Sequence, residues 1–229
     1  MAVTVPRSRV TGRPAFVRAY RWGGAALVLS AAAHIVVSAW DDPTFSLGNF
    51  FSYFTVLSNL YAAAVLVATG AWAGERLTDR CEMLRGAAVL YMGMTGLVYA
   101  LLLSGVDVQT DGYSNWVLHR IVPLLVVLDW LYEPPERPID VRSALGWLVF
   151  PLLYLLYTLV RGPIVDWYPY PFVDPTRDGG YVRVALNSVG IGVGFVVATW
   201  LVTAAARWAG ARRERGSAPT TSSRGPGPG

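Results

Sequence analysis

The sequence predicts an all-α fold: a polytopic membrane protein with six transmembrane helices in one bundle and both termini cytoplasmic. Three observations predict it. Hydrophobic residues make up 54% of the 229 and charged residues only 15%, which is too apolar for an ordinary water-soluble domain. Six apolar runs approach or exceed the ~20 residues needed to cross ~30 Å of hydrocarbon. The arginines gather in the tails and in alternate loops, the asymmetry that sets orientation. The period-2 alternation of a membrane β-barrel is absent from the sequence.

Residues 1–18 carry Arg7, Arg9, Arg13 and Arg18 and form a basic N-terminal segment, expected to stay disordered until near Ala19. The first apolar run covers about 19–40. Its Val37-Ser38-Ala39 resembles a signal-peptide cleavage site. The run is nevertheless of full spanning length and more runs follow, so a retained first span is expected. The later runs cover about 49–73, 86–104, 114–132, 143–161 and 182–208. The tail, 209–229, is mostly Arg, Ser, Pro and Gly, has nothing to bury, and is expected to be disordered. One cysteine, Cys81, excludes an internal disulfide. The net charge of +4 sits mainly in the tails, which favours a bilayer surface over nucleic acid as its partner.

Five arginines lie in the N-tail through Arg21, three in the 74–85 loop, two in the 133–142 loop and five from Arg207 onward. The loops at 41–48 and 105–113 have none, only Asp41, Asp42, Asp107 and Asp111. The positive-inside rule then places both termini in the cytoplasm of a cell-membrane protein. The loop 161–183 departs from this pattern with Arg161, Arg177 and Arg183, expected to pair with Asp166, Asp174 and Asp178 or with a lipid headgroup. It contains DWYPYPFVDP, residues 166–175, whose three prolines prevent a helix. Its aromatic residues suit the headgroup zone as an anchor; the alternative is a lid or re-entrant rim over a site.

Two stretches carry polar groups where lipid tolerates few: 49–60, NFFSYFTVLSNL, and 115–123, NWVLHRIVP. Counting inward at 1.5 Å per residue puts Thr55 at ~9 Å, His119 at ~8 Å and His34 at ~9 Å beneath one surface. Ser52, Thr55 and Asn59 are spaced to share one face of the second helix, as are Asn115 and His119 on the fourth. Polar side chains at that depth turn toward the bundle interior. A hydroxyl facing an imidazole is the smallest nucleophile–base pair, since a neutral imidazole can take the hydroxyl proton near pH 7. Thr55 and His119 are therefore the candidate catalytic residues. Asn59 and Asn115, with Ser52 and His34 in support, are candidates to orient the ring or to hold an oxyanion.

A structural reading stands beside each of these. Serine and threonine in membrane helices commonly bond a carbonyl one turn back, and asparagine and histidine often join helices. His34 and His119, at one depth on different helices, would also suit bis-imidazole ligation of a single haem, though no cofactor is required by the spacing. Arg120 is a candidate contact for an anionic headgroup or carboxylate. Asp129 lies ~15 Å deeper than His119 and is expected to pair with Arg142 or a backbone donor. Pro123 and Pro151 fall inside spans, and Pro123 frees the carbonyl of His119 itself. Gly190, Gly192 and Gly194 read as a close helix-packing stripe.

The stretch NWVLHRIVPLLVVLDW, with Asn115, His119 and Pro123, resembles the fourth-helix region of the androgen-induced / androgen-dependent TFPI-regulating membrane protein family. WYPYPFVDP resembles that family's Trp-x-Tyr-Pro-Phe segment, and FSYFTVLSNL is similar to its second-span stretch. The chain looks most like the bacterial branch. The resemblance implies a six-helix membrane hydrolase with Thr55 as nucleophile and His119 as general base, acting on lipid esters; animal members cleave fatty acid esters of hydroxy fatty acids. Ser52, Ser58 and Asn59 depart from the animal pattern around the threonine. The rival expectation is a non-catalytic protein for lipid binding, transport or membrane assembly. Both take membrane lipids as partners.

Overall fold

A computed structural model of the chain describes residues 12–103 and 112–217. Every regular element among them is helical. The first helix, α1, runs Gly12–Ser38, and a single turn, α2, covers Leu47–Phe50. Next come α3, Phe54–Ala71, and α4, Asp79–Val98, which continues as a π-helical turn over Tyr99–Leu103. Residues 112–132 are helical throughout in three pieces: α5, Gly112–Trp116, a π turn over Val117–Ile121, and α6, Val122–Tyr132. The short α7, Val141–Ala144, passes through a 3₁₀ turn, Leu145–Leu148, into α8, Val149–Val165. A 3₁₀ turn at Pro171–Val173 interrupts the following loop, and α9 runs Gly180–Ser217.

Among the described residues five helices are long and apolar enough to cross a membrane: Pro14–Ser38, Phe54–Ala71, Asp79–Leu103, Val141–Val165 and Gly180–Ala209. The stretch 112–132 is not among them, because Asn115, His119, Arg120 and Asp129 lower its hydropathy. Two boundaries differ from expectation. The first helix begins at Gly12, within the segment expected to be disordered, because Val17 packs into the core and Arg18 donates to the Gly70 carbonyl. The last helix continues to Ser217, past the expected start of the tail at 209. Residues 1–11 and 218–229, and the acidic part of the 105–113 loop with Asp107 and Asp111, lie outside the described residues.

The centre of the bundle is α4, which packs on α3, α6 and α9 while α1 packs on α3. Gly86–Met92 is buried without interruption on α4, as expected of a helix enclosed on all sides. Capping follows the sequence: Thr78 accepts from the Cys81 N–H at the start of α4, and Asp140 accepts from the Ser143 N–H at the start of α7. At the other end of α8, Asp166 adopts a left-handed conformation at φ +50° and the Trp167 N–H closes on the Gly162 carbonyl.

Pro151 and Pro123, the two prolines expected inside spans, each remove a donor from the carbonyl one turn earlier; a third, Pro163, stands near the end of α8. Pro151 stands in the first turn of α8, so the Trp147 carbonyl has no helical donor and instead accepts the Tyr91 hydroxyl at 2.8 Å. Pro123 cannot donate to His119. The turn before it widens, with Val122 N–H reaching back to the Val117 carbonyl. Gly96 of α4 fits against this turn: a Cβ there would lie 3.3 Å from Pro123 and 3.5 Å from the His119 carbonyl. By contrast, Gly190 and Gly192 have open space where a Cβ would stand, and only Gly194 meets a neighbour, Met94. The expected glycine packing stripe is thus reduced to one contact.

Asp129 does not pair with Arg142. Arg21 Nε and Nη2 donate to its two oxygens at 2.8 and 3.1 Å, and Arg85 Nη2 donates to Oδ2 at 2.9 Å. Arg21 also reaches Glu133, and Arg85 reaches Glu82. These arginines belong to α1 and α4 and face inward toward α6, so a buried ion network binds three helices at the arginine-rich end. Arg142 sits on the outer side of α7, on a different element. Of the three arginines of the opposite loop, Arg177 pairs with Asp174 at 3.3 Å. Arg161 donates instead to the Asn49 side chain, and Arg183 to the Pro171 carbonyl.

Candidate active site

The stretch 49–60 is not one helix. Phe51–Tyr53 separates α2 from α3, so Ser52 does not share a helical face with Thr55 and Asn59 as its spacing suggested. The break survives because side chains from elsewhere meet its backbone. The Tyr154 hydroxyl donates to the Ser52 carbonyl at 2.8 Å and accepts from the Phe54 N–H at 3.1 Å. The Tyr170 hydroxyl accepts from the Thr55 N–H at 3.1 Å. Two tyrosines, from α8 and from the 166–179 loop, thereby satisfy the first two N–H groups of α3, which no helical carbonyl can reach. Thr55 stands in the first turn, at the positive end of the helix dipole.

Thr55 and His119 meet across the bundle. Thr55 Oγ1 lies 3.3 Å from His119 Nε2 and 3.3 Å from the Tyr170 hydroxyl. His119 Nδ1 lies 3.3 Å from the Asn115 carbonyl. A carbonyl only accepts, so a neutral ring carries its proton on Nδ1 and presents a lone pair at Nε2. Thr55 then donates to Nε2. Thr55 has then spent its one hydroxyl hydrogen on Nε2, so in the Tyr170–Thr55 contact the tyrosine is the donor. The result is a directed chain, Tyr170 to Thr55 to His119 to Asn115, in which each hydrogen has one acceptor. Burial pushes the Tyr170 hydroxyl up to about 12, so it remains a donor at any physiological pH.

The supporting residues divide. Asn59 donates both amide hydrogens, to the Thr55 carbonyl at 2.8 Å and the Leu118 carbonyl at 3.1 Å. It ties the two site-bearing segments together and has no hydrogen left for an oxyanion. Asn115 serves His119 through its backbone carbonyl, while its side chain donates to the Tyr99 hydroxyl at 2.9 Å. Tyr99 in turn stacks on the His119 ring, centroids 4.3 Å apart, so it fixes the plane of the imidazole. Ser52 bonds the Gly48 carbonyl and the Tyr157 hydroxyl, a structural role. Ser58 likewise bonds the Thr55 carbonyl and Thr95. Arg120 lies on the surface with its guanidinium over Trp116 and Tyr99.

His34 does not join the others. It is exposed on α1, with its ring against Tyr113. His119 is buried and committed to Thr55 and Asn115, so the two imidazoles share no space in which a haem could be held between them. Among the described residues no group of three or more His, Cys, Asp or Glu is arranged for a metal ion.

Beside the dyad is a cavity of about 380 Å³. Thr55 and Tyr170 form part of its wall, and His119 stands behind Thr55. The remaining lining is mostly apolar, from α4, α8, α9 and the Phe172–Val173 turn. Of the two readings of the 166–175 segment, the geometry matches the lid: Tyr170 is buried and its segment roofs the cavity. Sequence reasoning missed Tyr99, Tyr154 and Tyr170 as site residues. For Tyr170 the flanking Pro169 and Pro171 were the available signal, since two prolines hold the intervening residue extended. Comparison of the chain with protein-family models, with curated proteins and with solved structures finds no match.

Proposed function

We propose that the protein is a six-span enzyme of the cell membrane that hydrolyses lipid esters with Thr55 as nucleophile and His119 as general base. The observation that carries the proposal is the directed hydrogen-bond chain ending on Thr55 at the wall of an apolar cavity. An apolar pocket alone would serve a non-catalytic lipid-binding protein. A threonine hydroxyl aimed at an imidazole lone pair favours chemistry. The resemblance of the motifs around Thr55, His119 and Tyr170 to the androgen-induced / androgen-dependent TFPI-regulating family points the same way.

In this reading the stretch 112–132 is also a span, the fourth in chain order, and brings the number to six; Asn115 and His119 belong to the dyad and Asp129 to the ion network, while Arg120 lies on the surface. The arginine-rich end is cytoplasmic, and the site opens toward the outer half of the bilayer. Thr55 Oγ1 attacks the acyl carbonyl as its proton passes to His119 Nε2. The carbonyl electron pair moves onto oxygen. Tyr170 keeps accepting the Thr55 N–H and turns its own proton to that oxyanion, supported by the positive end of α3. Collapse breaks the bond to the alcohol, which leaves with the proton from His119. Water, deprotonated by the same imidazole, then attacks the acyl carbon; collapse breaks the bond to Thr55 Oγ1, which takes the proton back from His119 as the acid leaves.

The test is hydrolysis of a fluorogenic long-chain ester by the purified protein in lipid nanodiscs. Thr55→Ala and His119→Ala should each lower kcat by about 10²–10⁴-fold, the usual worth of positioned acid–base and nucleophilic groups, with unchanged insertion. Turnover at the wild-type rate in either variant would overturn the assignment.

A further inference from the structure

Consecutive in the chain, α8 and α9 nevertheless scarcely touch each other. The first is held by Phe150 against Tyr91 and by the Tyr154 and Tyr157 hydroxyls that meet Ser52 and Phe54. The second lies on α4 and on the turn Leu145–Leu148. The cavity fills the space between them. Phe172 and Val173 cover one end, and Leu148 and the buried Phe195 bound the other. Its back wall is α3 and α4, with Thr55, Met94, Thr95 and Val98.

The front has no such cover. Leu152 of α8 and Val196 of α9 belong to the cavity wall, yet they are 63% and 50% exposed. A side chain that lines an interior space and also faces outward marks the mouth of that space. The neighbours of these two, Leu153, Leu156, Val193 and Val197, are exposed and apolar, so the mouth opens through a surface suited to acyl chains rather than water. From Ser188 to Val196 the slot follows α9 for eight residue steps, ~12 Å at the helical rise.

We infer that the cavity is an acyl-chain slot, entered sideways from the bilayer between α8 and α9, with Leu152 and Val196 as its lips. The occupant is one chain of a membrane lipid ester, its carbonyl brought up to Thr55 without leaving the membrane. The volume suits it. A methylene is close in size to a water, whose share of the liquid is ~30 Å³, so the slot has room for about a dozen carbons. The chemistry of the wall suits it too. The Thr95 and Tyr154 hydroxyls are spent on the Tyr91 and Ser52 carbonyls. Only the Thr55–Tyr170 corner and the buried, unpartnered Ser188 hydroxyl offer polar contact. The inference rests on the bilayer placement above and supplies the hydrolase reading with its substrate route, but it requires only occupancy.

The experiment therefore reads occupancy. The full-length protein is reconstituted in phosphatidylcholine vesicles doped with a phosphatidylcholine whose acyl chain bears a diazirine, irradiated, and mapped by peptide mass spectrometry. Interior residues Met94 and Val98 should carry label alongside lipid-facing Trp200 and Leu201. Gly192 lines the slot and has open space at its Cβ position, so Gly192→Leu should fill the slot and abolish interior label while leaving lipid-facing label intact. Gly190→Leu, equally unhindered but outside the wall, should leave both intact. Leu152→Trp, at the lip, gives a second and independent block. Interior label absent from the wild type, or undiminished in both Gly192→Leu and Leu152→Trp, would overturn the slot. Thr55→Ala separates the two proposals: interior label that persists in it supports the slot whatever the ester assay shows. Wild-type interior label without ester turnover would leave the slot standing and remove the hydrolase.

Discussion

Tyr170 performs two tasks with one oxygen. It accepts the Thr55 N–H and offers its proton toward Thr55 Oγ1. Its replacement by phenylalanine keeps the ring, which packs edge-on against Tyr53 and stacks on Phe172, and removes only the hydroxyl. Two effects follow. Loss of an oxyanion donor should lower kcat by about 10²–10³-fold with little change in KM. A buried N–H left without an acceptor should cost about 1–3 kcal/mol of stability. Steady-state kinetics and thermal unfolding on the same preparation read both. Thr55 is singled out in the sequence by sharing the depth of His119 and by the resemblance, since a threonine alone has ordinary structural uses in a membrane helix. His119 stands out because an imidazole within an apolar run is rare. Tyr170 was hidden for the opposite reason. Aromatic residues near a membrane interface are commonplace, and its partner is 115 residues distant in the chain.

At the level of the helices, the site depends on two departures from regular geometry. The π turn before Pro123 carries His119, and the gap before Phe54 carries Thr55 to the tip of its helix. Pro123 announced the first, since a missing N–H must disturb the turn behind it. Nothing announced the second: the stretch 51–53 contains neither glycine nor proline, and the break is imposed by the Tyr154 and Tyr170 hydroxyls from other elements. The meeting of the two departures relies on Gly96, where α4 approaches both Pro123 and the His119 carbonyl. Gly96→Val should force these helices apart, at about 1–3 kcal/mol for overpacking, and displace the imidazole from Thr55. A fall in kcat larger than the loss of thermal stability accounts for is the expected result, and Gly190→Val, at a position with open space, should show neither change.

The molecule as a whole is fastened at its two ends by different means. Around Arg21, Arg85 and Asp129 the fastening is ionic and buried. Asp129→Asn leaves two guanidinium groups facing a neutral amide and should destabilise the protein by about 3–5 kcal/mol, with little dependence on salt; thermal melts at low and high ionic strength measure it. The sequence placed Asp129 near that end but pointed to Arg142 or a backbone donor as its partner; a chain with so many arginines offers many candidates, and only the packing of α1 and α4 selects Arg21 and Arg85. Topology is open to a direct check. In intact cells, with Cys81 replaced, a membrane-impermeant maleimide should label Thr176→Cys and spare Arg137→Cys. Five of the spans were legible because hydropathy is a local property, whereas 112–132 sits at the margin since Asn115, His119 and Asp129, spent around the dyad and in the ion network, and the surface Arg120 all lower its hydropathy.

The other end is held by tyrosine hydroxyls, and this has a consequence for control. The roof over the cavity is also what completes the first turn of α3, so raising it would strip Thr55 of its backbone acceptor and of the hydroxyl beside its Oγ1 together. Covering and arming are one event. A small molecule that wedged Tyr170 away from Thr55 would silence the centre while leaving Thr55 and His119 chemically untouched, and the most vulnerable point of the protein would then be a side chain that performs no bond-making of its own.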